Sequence, residues 1–387
     1  MQTQYRTWAE IDIGAIKHNV KTIKNSLFVG TDLMACVKAD AYGYGANVLC
    51  RVLEEAGVNR FGVATIEEAL RLRKMGVLRP IQILGYTHPD FINDIYSNDI
   101  TQTIVGPEHA AEMSKKAVEL GLMIDVHIKA DTGMHRYGFD CCDIEMAALA
   151  IKSACELPGL NVRGIFTHFA AADDRTDLGK DYTEMQHARF SEVISKLAQV
   201  DIVFETIHCC NSAGTVYYPE FQHDMVRVGI MLYGFSPNQL PVDLDLKPSV
   251  SLKTRITQKK ALKAGESVSY GCTFKADRDM TIAVVPFGYA DGYPRSMSNR
   301  GVGWIDKHII HSVGTVCMDL FMYDITGVEA NIGDVITIFG GTSPITFENI
   351  AGISGMLHYE LGCHLTKRIP RVYMENGEVY AEFLPQE

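Results

Sequence analysis

The chain of 387 residues lacks several features that would assign it to a class of protein at once. No apolar run approaches the length of a membrane span, and the first residues alternate like an amphipathic strand instead of forming a signal peptide. No block of like charge interrupts the sequence, although the formal net charge is -11. This acidity favours solubility and argues against a nucleic-acid partner. We therefore expect a protein with neither a membrane nor a nucleic-acid partner.

Zinc-binding and disulfide patterns are also absent. The chain has ten cysteines, but none lies in a CxxC pair or in the Cys/His spacing typical of a zinc site. Adjacent pairs occur at Cys141-Cys142 and Cys209-Cys210, and such neighbours rarely form disulfides. The simpler interpretation is a reduced, cytoplasmic protein without a metal site.

From Lys38 to about Val228, short apolar runs alternate with helical patterns. Thr65, for example, precedes an acidic turn and apolar residues at helical spacing, which predicts a capped helix. Eight strands in such an alternation predict a closed parallel (β/α)8 barrel. An open doubly wound sheet is the alternative, but it should carry a glycine-rich nucleotide loop after its first strand, and the segment 38–45 is not that loop. The predicted strands are 33–37, 61–64, 81–84, 102–105, 124–128, 162–166, 207–210 and 225–228.

After about Leu240 the pattern changes. A linker is predicted at 241–248, followed by alternating β patterns separated by glycine turns. The predicted fold is therefore α/β, with an N-terminal TIM barrel (14–240) and a mostly β C-terminal domain (241–387). An N-terminal strand (1–13) is expected to pack with this second domain. The predicted β segments are 250–257, 280–286, 308–313, 335–339 and 371–374, interrupted by one helix at 346–353.

Lys38 ends the first predicted strand of the barrel. A lysine at the end of a buried strand is costly, because the protein interior disfavours the charged amine. One resolution is a Schiff base with a carbonyl cofactor. The other is a lysine whose tip simply reaches solvent, and the strand by itself leaves both interpretations open.

Polar residues at the other strand ends favour the first interpretation. In such barrels the functional groups lie at the C-terminal ends of the strands, and phosphate is often held after strands seven and eight. The segments 211–214 and 229–230 suit phosphate, and phosphate near a Schiff-base lysine implies pyridoxal phosphate. A single histidine or arginine at such a position is more often an ordinary buried histidine or a salt-bridge arginine. Their joint placement at the strand ends is what favours a cofactor site. The strand ends supply Lys38, Tyr42, Lys129, His168, His208, Asn211, Ser212, Arg227 and Gly229.

These residues belong to longer motifs, and with them the whole chain closely resembles bacterial alanine racemases of the fold-type III pyridoxal-phosphate class. The resemblance extends from Trp8-Ala-Glu-Ile-Asp to Arg371-Val-Tyr. The motifs that carry it are Val37-Lys-Ala-Asp-Ala-Tyr-Gly, Lys129-Ala-Asp-Thr-Gly-Met-His-Arg, Phe166-Thr-His-Phe, Asn211-Ser-Ala, Val226-Arg-Val-Gly-Ile-Met-Leu-Tyr-Gly, Val268-Ser-Tyr-Gly, Gly288-Tyr-Ala-Asp-Gly and Val316-Cys-Met-Asp.

The resemblance implies a homodimer with composite active sites that interconverts L-alanine and D-alanine and supplies D-alanine for peptidoglycan. Lys38 would hold the cofactor and act as one base, and Tyr270 of the partner subunit would be the other. Arg227 would face the pyridine nitrogen, with His168 in the same hydrogen-bond network. Because arginine keeps its proton, the cofactor would be a restrained electron sink, which disfavours transamination and decarboxylation.

The resemblance assigns roles to further positions. Arg136 would orient Tyr270 and contact the substrate. Lys129 matches a position that carries a carbamate in several relatives, and a plain lysine there would leave two like charges adjacent. The remaining matches are Tyr42, Asn211, Ser212, Gly229, Ile230 and Tyr359 for the cofactor, Met318 and Asp319 for the substrate side from the partner subunit, and Tyr289 for the entry corridor.

Two positions depart from the family pattern. Tyr44 stands where histidine is common, and His358 stands where asparagine is common. Related serine racemases carry a smaller residue near Tyr359, so this tyrosine favours alanine. The alternatives are a serine or broad-specificity racemase of the same fold, a fold-type III decarboxylase, which Arg227 argues against, and a barrel-only cofactor carrier, which would lack the β domain and Tyr270.

Overall fold

The structure, a computed structural model, describes residues 4–238 and 243–383. Within these residues the chain forms two compact units. The barrel unit is drawn from Lys17–Ala41 and Ala46–Leu246, and the sheet unit from Met1–Ile16, Tyr42–Gly45 and Lys247–Glu387. The domain boundary predicted at 240/241 and the first residues of the predicted linker lie outside the described residues.

The secondary structure alternates in the first part of the chain and is mostly β in the second. Numbered along the chain, the strands are β1 (Thr7–Asp12), β2 (Asp32–Cys36), β3 (Arg60–Val63), β4 (Ile81–Ile83), β5 (Ile100–Ile104), β6 (Ile124–Asp131), β7 (Phe139–Asp140), β8 (Leu160–Phe166), β9 (Thr206–His208), β10 (Met225–Val228), β11 (Val250–Arg255), β12 (Gln258–Leu262), β13 (Ser267–Val268), β14 (Phe274–Lys275), β15 (Met280–Val285), β16 (Val302–Ile305), β17 (His308–Ser312), β18 (Phe321–Asp324), β19 (Val335–Phe339), β20 (Arg371–Glu375) and β21 (Glu378–Phe383). The helices are Ile13–Asn25, Ala46–Glu55, Ile66–Lys74, Ile92–Ser97, Pro107–Leu120, Ile144–Cys155, Asp177–Ala198, Ser212–Tyr217, Phe347–Ser354 and His358–Cys363, with short 3-10 turns at Pro89–Phe91, Pro219–Phe221, Ile230–Tyr233, Tyr289–Asp291 and Arg295–Met297.

The barrel unit contains eight parallel strands in the order β10-β2-β3-β4-β5-β6-β8-β9. Backbone hydrogen bonds close the seam between the last and first of these strands. The N–H of Asp224 donates to Ile207 (3.1 Å), and the N–H of Arg227 donates to Cys210 (2.9 Å). Each of the eight predicted strands overlaps an observed one, so the predicted (β/α)8 barrel is confirmed.

Local sequence signals explain the helices between these strands. The Thr65 side chain accepts from the N–H of Glu68, and the acidic first turn and basic last turn of Ile66–Lys74 complement the helix dipole. Thr176 caps Asp177–Ala198 in the same way. Among the described residues, no helix combines the length and apolar character that crossing a membrane requires.

The sheet unit is built on a ten-stranded sheet in the order β12-β15-β18-β17-β16-β19-β11-β1-β20-β21, with β13 and β14 as a separate hairpin. Strand β1 pairs antiparallel with β11 and parallel with β20. The mostly β character predicted for this part of the chain is confirmed. The prediction of a single helix there is incomplete, because a second short helix follows at His358–Cys363.

Candidate active site

Lys38 directly follows β2 and is exposed. The buried positions of this strand stop at Val37, one residue before the lysine. Its position just after a strand end makes this amine available to a ligand.

A turn of left-handed backbone follows Lys38. The φ angles of Ala39, Asp40, Ala41 and Tyr42 are 52°, 55°, 55° and 58°, and a residue with a Cβ pays about 1–2 kcal/mol in this conformation. Such strain persists only where surrounding groups fix it. In the barrel unit the Glu68 carboxylate accepts from the N–H of Ala39 (2.6 Å), and Asp40 accepts from the N–H of Ala46 (2.9 Å). The chain on both sides of the lysine-bearing turn is thereby held in place.

Arg227, on β10, is the hub of a buried hydrogen-bond network. Its Nη2 donates to the carbonyls of Thr167 and Cys209, each at 2.8 Å, and lies 3.2 Å from Nδ1 of His168. Its Nη1 lies 2.9 Å from Nδ1 of His208. Since a guanidinium can only donate, both histidines accept through Nδ1 and carry their proton on Nε2.

The same logic extends to a third histidine. The Nε2 of His208 lies 2.9 Å from Nδ1 of His127, so His208 donates and His127 also carries its proton on Nε2. Burial, followed by the Arg227 charge, holds the pKa of His168 and His208 well below the usual range, and burial lowers the pKa of His127 to about 3. All three rings are therefore neutral at pH 7. His208 and His127 lie in the core (0 % and 1 % exposed), and of the three only half-buried His168 has contact with solvent.

Lys129 lies within β6 and is buried. Its Nζ is 4.9 Å from the centre of the Phe166 ring. Burial and the nearby Arg227 hold the pKa of Lys129 well below its usual value. An amine with a lowered pKa is a better nucleophile at neutral pH, because more of it is unprotonated.

The loop after β6 is organised by Asp131. Its carboxylate accepts from the N–H groups of Gly133, His135 and Arg136, at 3.0, 3.0 and 3.1 Å. The Arg136 side chain itself is exposed. It lies near enough to Lys129 and His168 for its charge to lower the pKa of both.

The predicted phosphate residues of the barrel unit come together. Asn211 caps the helix Ser212–Tyr217 by accepting from the N–H of Gly214 (2.9 Å), and the Ser212 hydroxyl accepts from the N–H of Gly229 (3.1 Å). Ile230 begins the 3-10 turn that follows Gly229. The first N–H groups of a helix have no acceptor within the helix. Two helix starts and a hydroxyl therefore form a cluster of donors suited to an anion.

In the sheet unit, Tyr42 contacts Tyr359, with ring centres 6.2 Å apart. The backbone next to Tyr42 is held by buried Arg371, whose Nε and Nη2 donate to the Gly43 carbonyl at 3.0 and 2.7 Å. Tyr373 donates to the Tyr44 carbonyl at 2.8 Å. The two tyrosines predicted to contact the cofactor are thus neighbours. The backbone that follows Tyr42 is held by the hydrogen bonds from Arg371 and Tyr373.

Tyr270 lies on an exposed surface of the sheet unit, with 73 % of its surface accessible. Ser269 before it has φ 65°, and Thr315 donates to the Tyr270 carbonyl at 2.8 Å. An open cavity of about 430 Å³ is lined there by Ser269, Tyr270, Cys317, Met318, Asp319, Leu320 and Met322.

Tyr289 belongs to the same surface. Its N–H donates to Cys317 (3.1 Å), and the N–H of Ala290 donates to Met318 (2.9 Å). Asp319 accepts from Arg368 at 2.8 Å. The structure therefore brings together Tyr270, Tyr289, Met318 and Asp319, which the sequence places in three separate motifs.

Sequence reasoning missed the residues that hold these groups. Arg371 lies in the last matched motif, yet no role was predicted for it. Asp131 and Glu68 were likewise not singled out. The role of Asp131 could have been predicted, because an aspartate often accepts hydrogen bonds from the N–H groups of the turn that follows it. The role of Arg371 could not, because its partner Gly43 lies 328 residues away in the sequence.

Comparison with known families covers both units. The model of the alanine racemase N-terminal domain matches residues 11–237, and that of the alanine racemase C-terminal domain matches residues 249–373.

Individual proteins are similar over nearly the full chain. Alanine racemase 2 of Oceanobacillus iheyensis is 41 % identical over 384 residues, which cover 98 % of this chain and 96 % of that protein. The structure of alanine racemase from Clostridium difficile 630 is 34 % identical, with a TM-score of 0.93 and complete coverage of both chains. That of Bartonella henselae, described with covalently bound pyridoxal phosphate, is 28 % identical, with a TM-score of 0.85 and coverage of 96 % and 100 %.

Proposed function

The chain belongs to the alanine racemase family, and we propose on that premise that it interconverts L-alanine and D-alanine with pyridoxal 5'-phosphate as cofactor. The observation that carries this proposal is the likeness to alanine racemases over nearly the whole chain. The product suits the supply of D-alanine for peptidoglycan. Among the described residues no two cysteines are joined by a disulfide, which supports a reduced, cytoplasmic setting.

The residues of the barrel unit fit this cofactor. Lys38 offers an exposed amine for the aldehyde. The helix start at Asn211 and Ser212 and the turn start at Gly229 and Ile230 lie together and suit the phosphate. The Nε–H of buried Arg227 makes no hydrogen bond with any described residue, so a donor remains for the pyridine nitrogen. We propose that Tyr42, Tyr359 and His168 complete the contacts with the cofactor.

The proton transfers belong to two side chains. The cofactor, when bound, acidifies the α-proton of the amino acid by withdrawing electron density. Lys38 Nζ takes or returns that proton on one face, and Tyr270 Oη of a second copy does so on the other. Arg227 keeps its proton on the guanidinium and so limits the electron withdrawal. His168, fixed as the Nε2–H tautomer by Arg227, presents a donor from the same network.

We propose that the active form is a homodimer, in which 241–387 of one copy completes the site of the other. Exposed Tyr270 and the open cavity beside it support this arrangement. Arg136 positions Tyr270 and the substrate carboxylate, Met318 and Asp319 line the substrate side, and Tyr289 lines the entry. Mixing Lys38→Ala with Tyr270→Phe chains should restore part of the activity through one intact site. No recovery after verified subunit exchange would exclude a composite site.

We also propose that Lys129 carries a carbamate. Its lowered pKa favours the neutral amine, whose nitrogen attacks carbon dioxide with release of one proton; the product is an anion beside Arg136. Labelling with ¹³C-bicarbonate should give one carbamate signal in the carbon NMR spectrum that disappears in Lys129→Ala and persists in Lys152→Ala. A signal retained in Lys129→Ala would rule out this position.

The central test is racemisation of L-alanine, L-serine and L-lysine side by side with added pyridoxal phosphate. We expect alanine to be the preferred substrate. Borohydride should fix the cofactor on Lys38, and another labelled lysine would overturn the assignment. Tyr359→Asn should raise the ratio of serine to alanine turnover; an unchanged ratio would remove Tyr359 from the specificity argument.

A further inference from the structure

Three side chains that can bind a metal ion meet next to the Arg227 network, which contacts only the backbone carbonyl of one of them, Cys209. His187 lies on the helix Asp177–Ala198, Cys209 follows β9, and His223 precedes β10. One ligand atom from each residue lies within 4.8 Å of the other two. The two imidazoles face each other through their Nε2 atoms at 3.1 Å. The proposed racemase mechanism uses none of these three side chains.

The three donors are held in place by their surroundings. The His187 ring stacks on Phe221, with centres 3.7 Å apart and planes 8° apart. The Cys209 side chain is fully buried, and its Sγ lies 3.0 Å from the Phe221 carbonyl. His223 has φ 49°, a left-handed conformation that is strained for a residue with a Cβ.

We propose that His187, Cys209 and His223 form a binding site for a transition-metal ion, with zinc as the ion of best fit. Tetrahedral Zn²⁺ with its usual bond lengths places two imidazole nitrogens about 3.3 Å apart, and a nitrogen and a thiolate sulfur about 3.6 Å apart. The observed nitrogen pair, at 3.1 Å, is close to the first distance, and the sulfur, within 4.8 Å of both nitrogens, needs to approach each by up to about 1.2 Å. A water molecule takes the fourth position.

The chemistry of the donors selects the metal. Two imidazoles and a thiolate suit zinc, cobalt or copper, whereas Mg²⁺ and Ca²⁺ prefer oxygen ligands. Binding replaces the Cys209 thiol proton by the metal, and the proton passes to solvent. His223 is exposed, which leaves an entry path.

The spacing of the three ligands explains why no sequence pattern predicts this site. Zinc patterns are recognised from ligands a few residues apart, whereas here 21 residues separate His187 from Cys209 and 13 separate Cys209 from His223. The barrel closure next to β10 brings them together. The competing explanation is a simple hydrogen bond between two neutral histidines, and metal binding distinguishes the two.

The test is zinc binding by the purified holoenzyme, in competition with a chromophoric chelator. We expect one tightly bound Zn²⁺ per chain, unaffected by excess Mg²⁺. Loss of even an indirect partner of a metal ligand weakens binding 10–100-fold, so Cys209→Ser and His223→Gln should each lower the affinity by at least about 10²-fold. Cys210→Ser, at an equally buried neighbouring cysteine, and His311→Gln should keep wild-type affinity.

Cobalt gives an independent readout. Co²⁺ added to the holoenzyme should produce thiolate-to-cobalt charge-transfer absorption in the difference spectrum, and His223→Gln, at an exposed position, should lose it without a folding defect. The proposal is overturned if the wild type and Cys209→Ser bind Zn²⁺ equally, or if the cobalt spectrum shows no thiolate band. Neither readout depends on racemase activity.

Discussion

Replacing Gly43 by alanine tests how the turn after Lys38 is built. Gly43 has φ +84°, and a Cβ at this position would lie 2.2 Å from the carbonyl oxygen and 3.0 Å from the carbonyl carbon of Gly362. Both are backbone atoms, so the oxygen must move by about 1 Å to reach ordinary contact distance. The Gly43 carbonyl is held by Arg371, so the turn cannot easily move instead.

The expected cost has two parts. The left-handed conformation costs alanine about 1–2 kcal/mol, and overpacking against a fixed neighbour adds about 1–3 kcal/mol. We therefore expect Gly43→Ala to lower the free energy of unfolding by about 2–5 kcal/mol. Because Tyr42 is adjacent, the variant should also retain less pyridoxal phosphate after dialysis.

Gly327→Ala is the matched control, because Gly327 has φ +79° but no atom within 4 Å of an added Cβ. This variant should lose free energy of unfolding only through the left-handed backbone conformation. A less flexible unfolded chain offsets about 0.4–1 kcal/mol of that loss. Differential scanning calorimetry separates the two, since 1 kcal/mol shifts Tm by about 2–4 °C for a domain of 150–250 residues. Equal shifts in Tm for both variants would refute the proposed clash with Gly362.

Three other perturbations follow from the same contacts. The pKa of His127 is lowered to about 3, so between pH 3 and about 6.5 the unfolded chain binds a proton that the folded chain does not, and stability falls as the pH drops through this window. His127→Gln should therefore reduce the slope of stability against pH by up to about 1.4 kcal/mol per unit, measured from urea midpoints between pH 4 and 6; an unchanged slope would contradict the assignment. Ser212→Ala removes the acceptor of the Gly229 N–H and should weaken retention of pyridoxal phosphate about tenfold, the equivalent of one hydrogen bond; full retention in equilibrium dialysis would argue against a phosphate role. Asp291 is fully buried and forms ion pairs with Arg6 and Arg368. Asp291→Asn should therefore lower the free energy of unfolding by about 2–3 kcal/mol, and calorimetry showing no loss would mean that these contacts are not stabilising.

The sequence predicted the barrel well because its strands are buried apolar runs. Strands such as β4 and β10 are buried at every position, and all but one residue of each is apolar, which leaves a mainly hydrophobic signal. Strands β12 and β21 of the sheet unit were missed, since they are largely exposed and carry no alternation. Strand β16 was missed because its four residues include a glycine, which weakens a strand pattern.

For the candidate site, the chemistry could be predicted and the supporting geometry could not. Lys38, Arg227 and Ser212 lie at or near the C-terminal ends of barrel strands, and the functional groups of such barrels collect at those ends. The left-handed turn at Ala39 carries no sign in the sequence, because alanine favours right-handed helix. The tautomers of His168 and His208 are likewise unpredictable, since Arg227 sets them through contacts that arise only in the folded barrel.

The position of β1 has a consequence for how the chain folds as it is synthesised. The strand is synthesised before both of its partners, and its parallel neighbour β20 begins only at Arg371. At about 5–20 residues per second, β1 waits on the order of 20–70 s for its partner, while the barrel strands find theirs earlier. The barrel can therefore fold during translation, but the ten-stranded sheet is completed only at the end. A ribosome that stalls before β20 would release a chain in which the edge of β1 that faces β20 is unpaired, a ready substrate for chaperones or proteases.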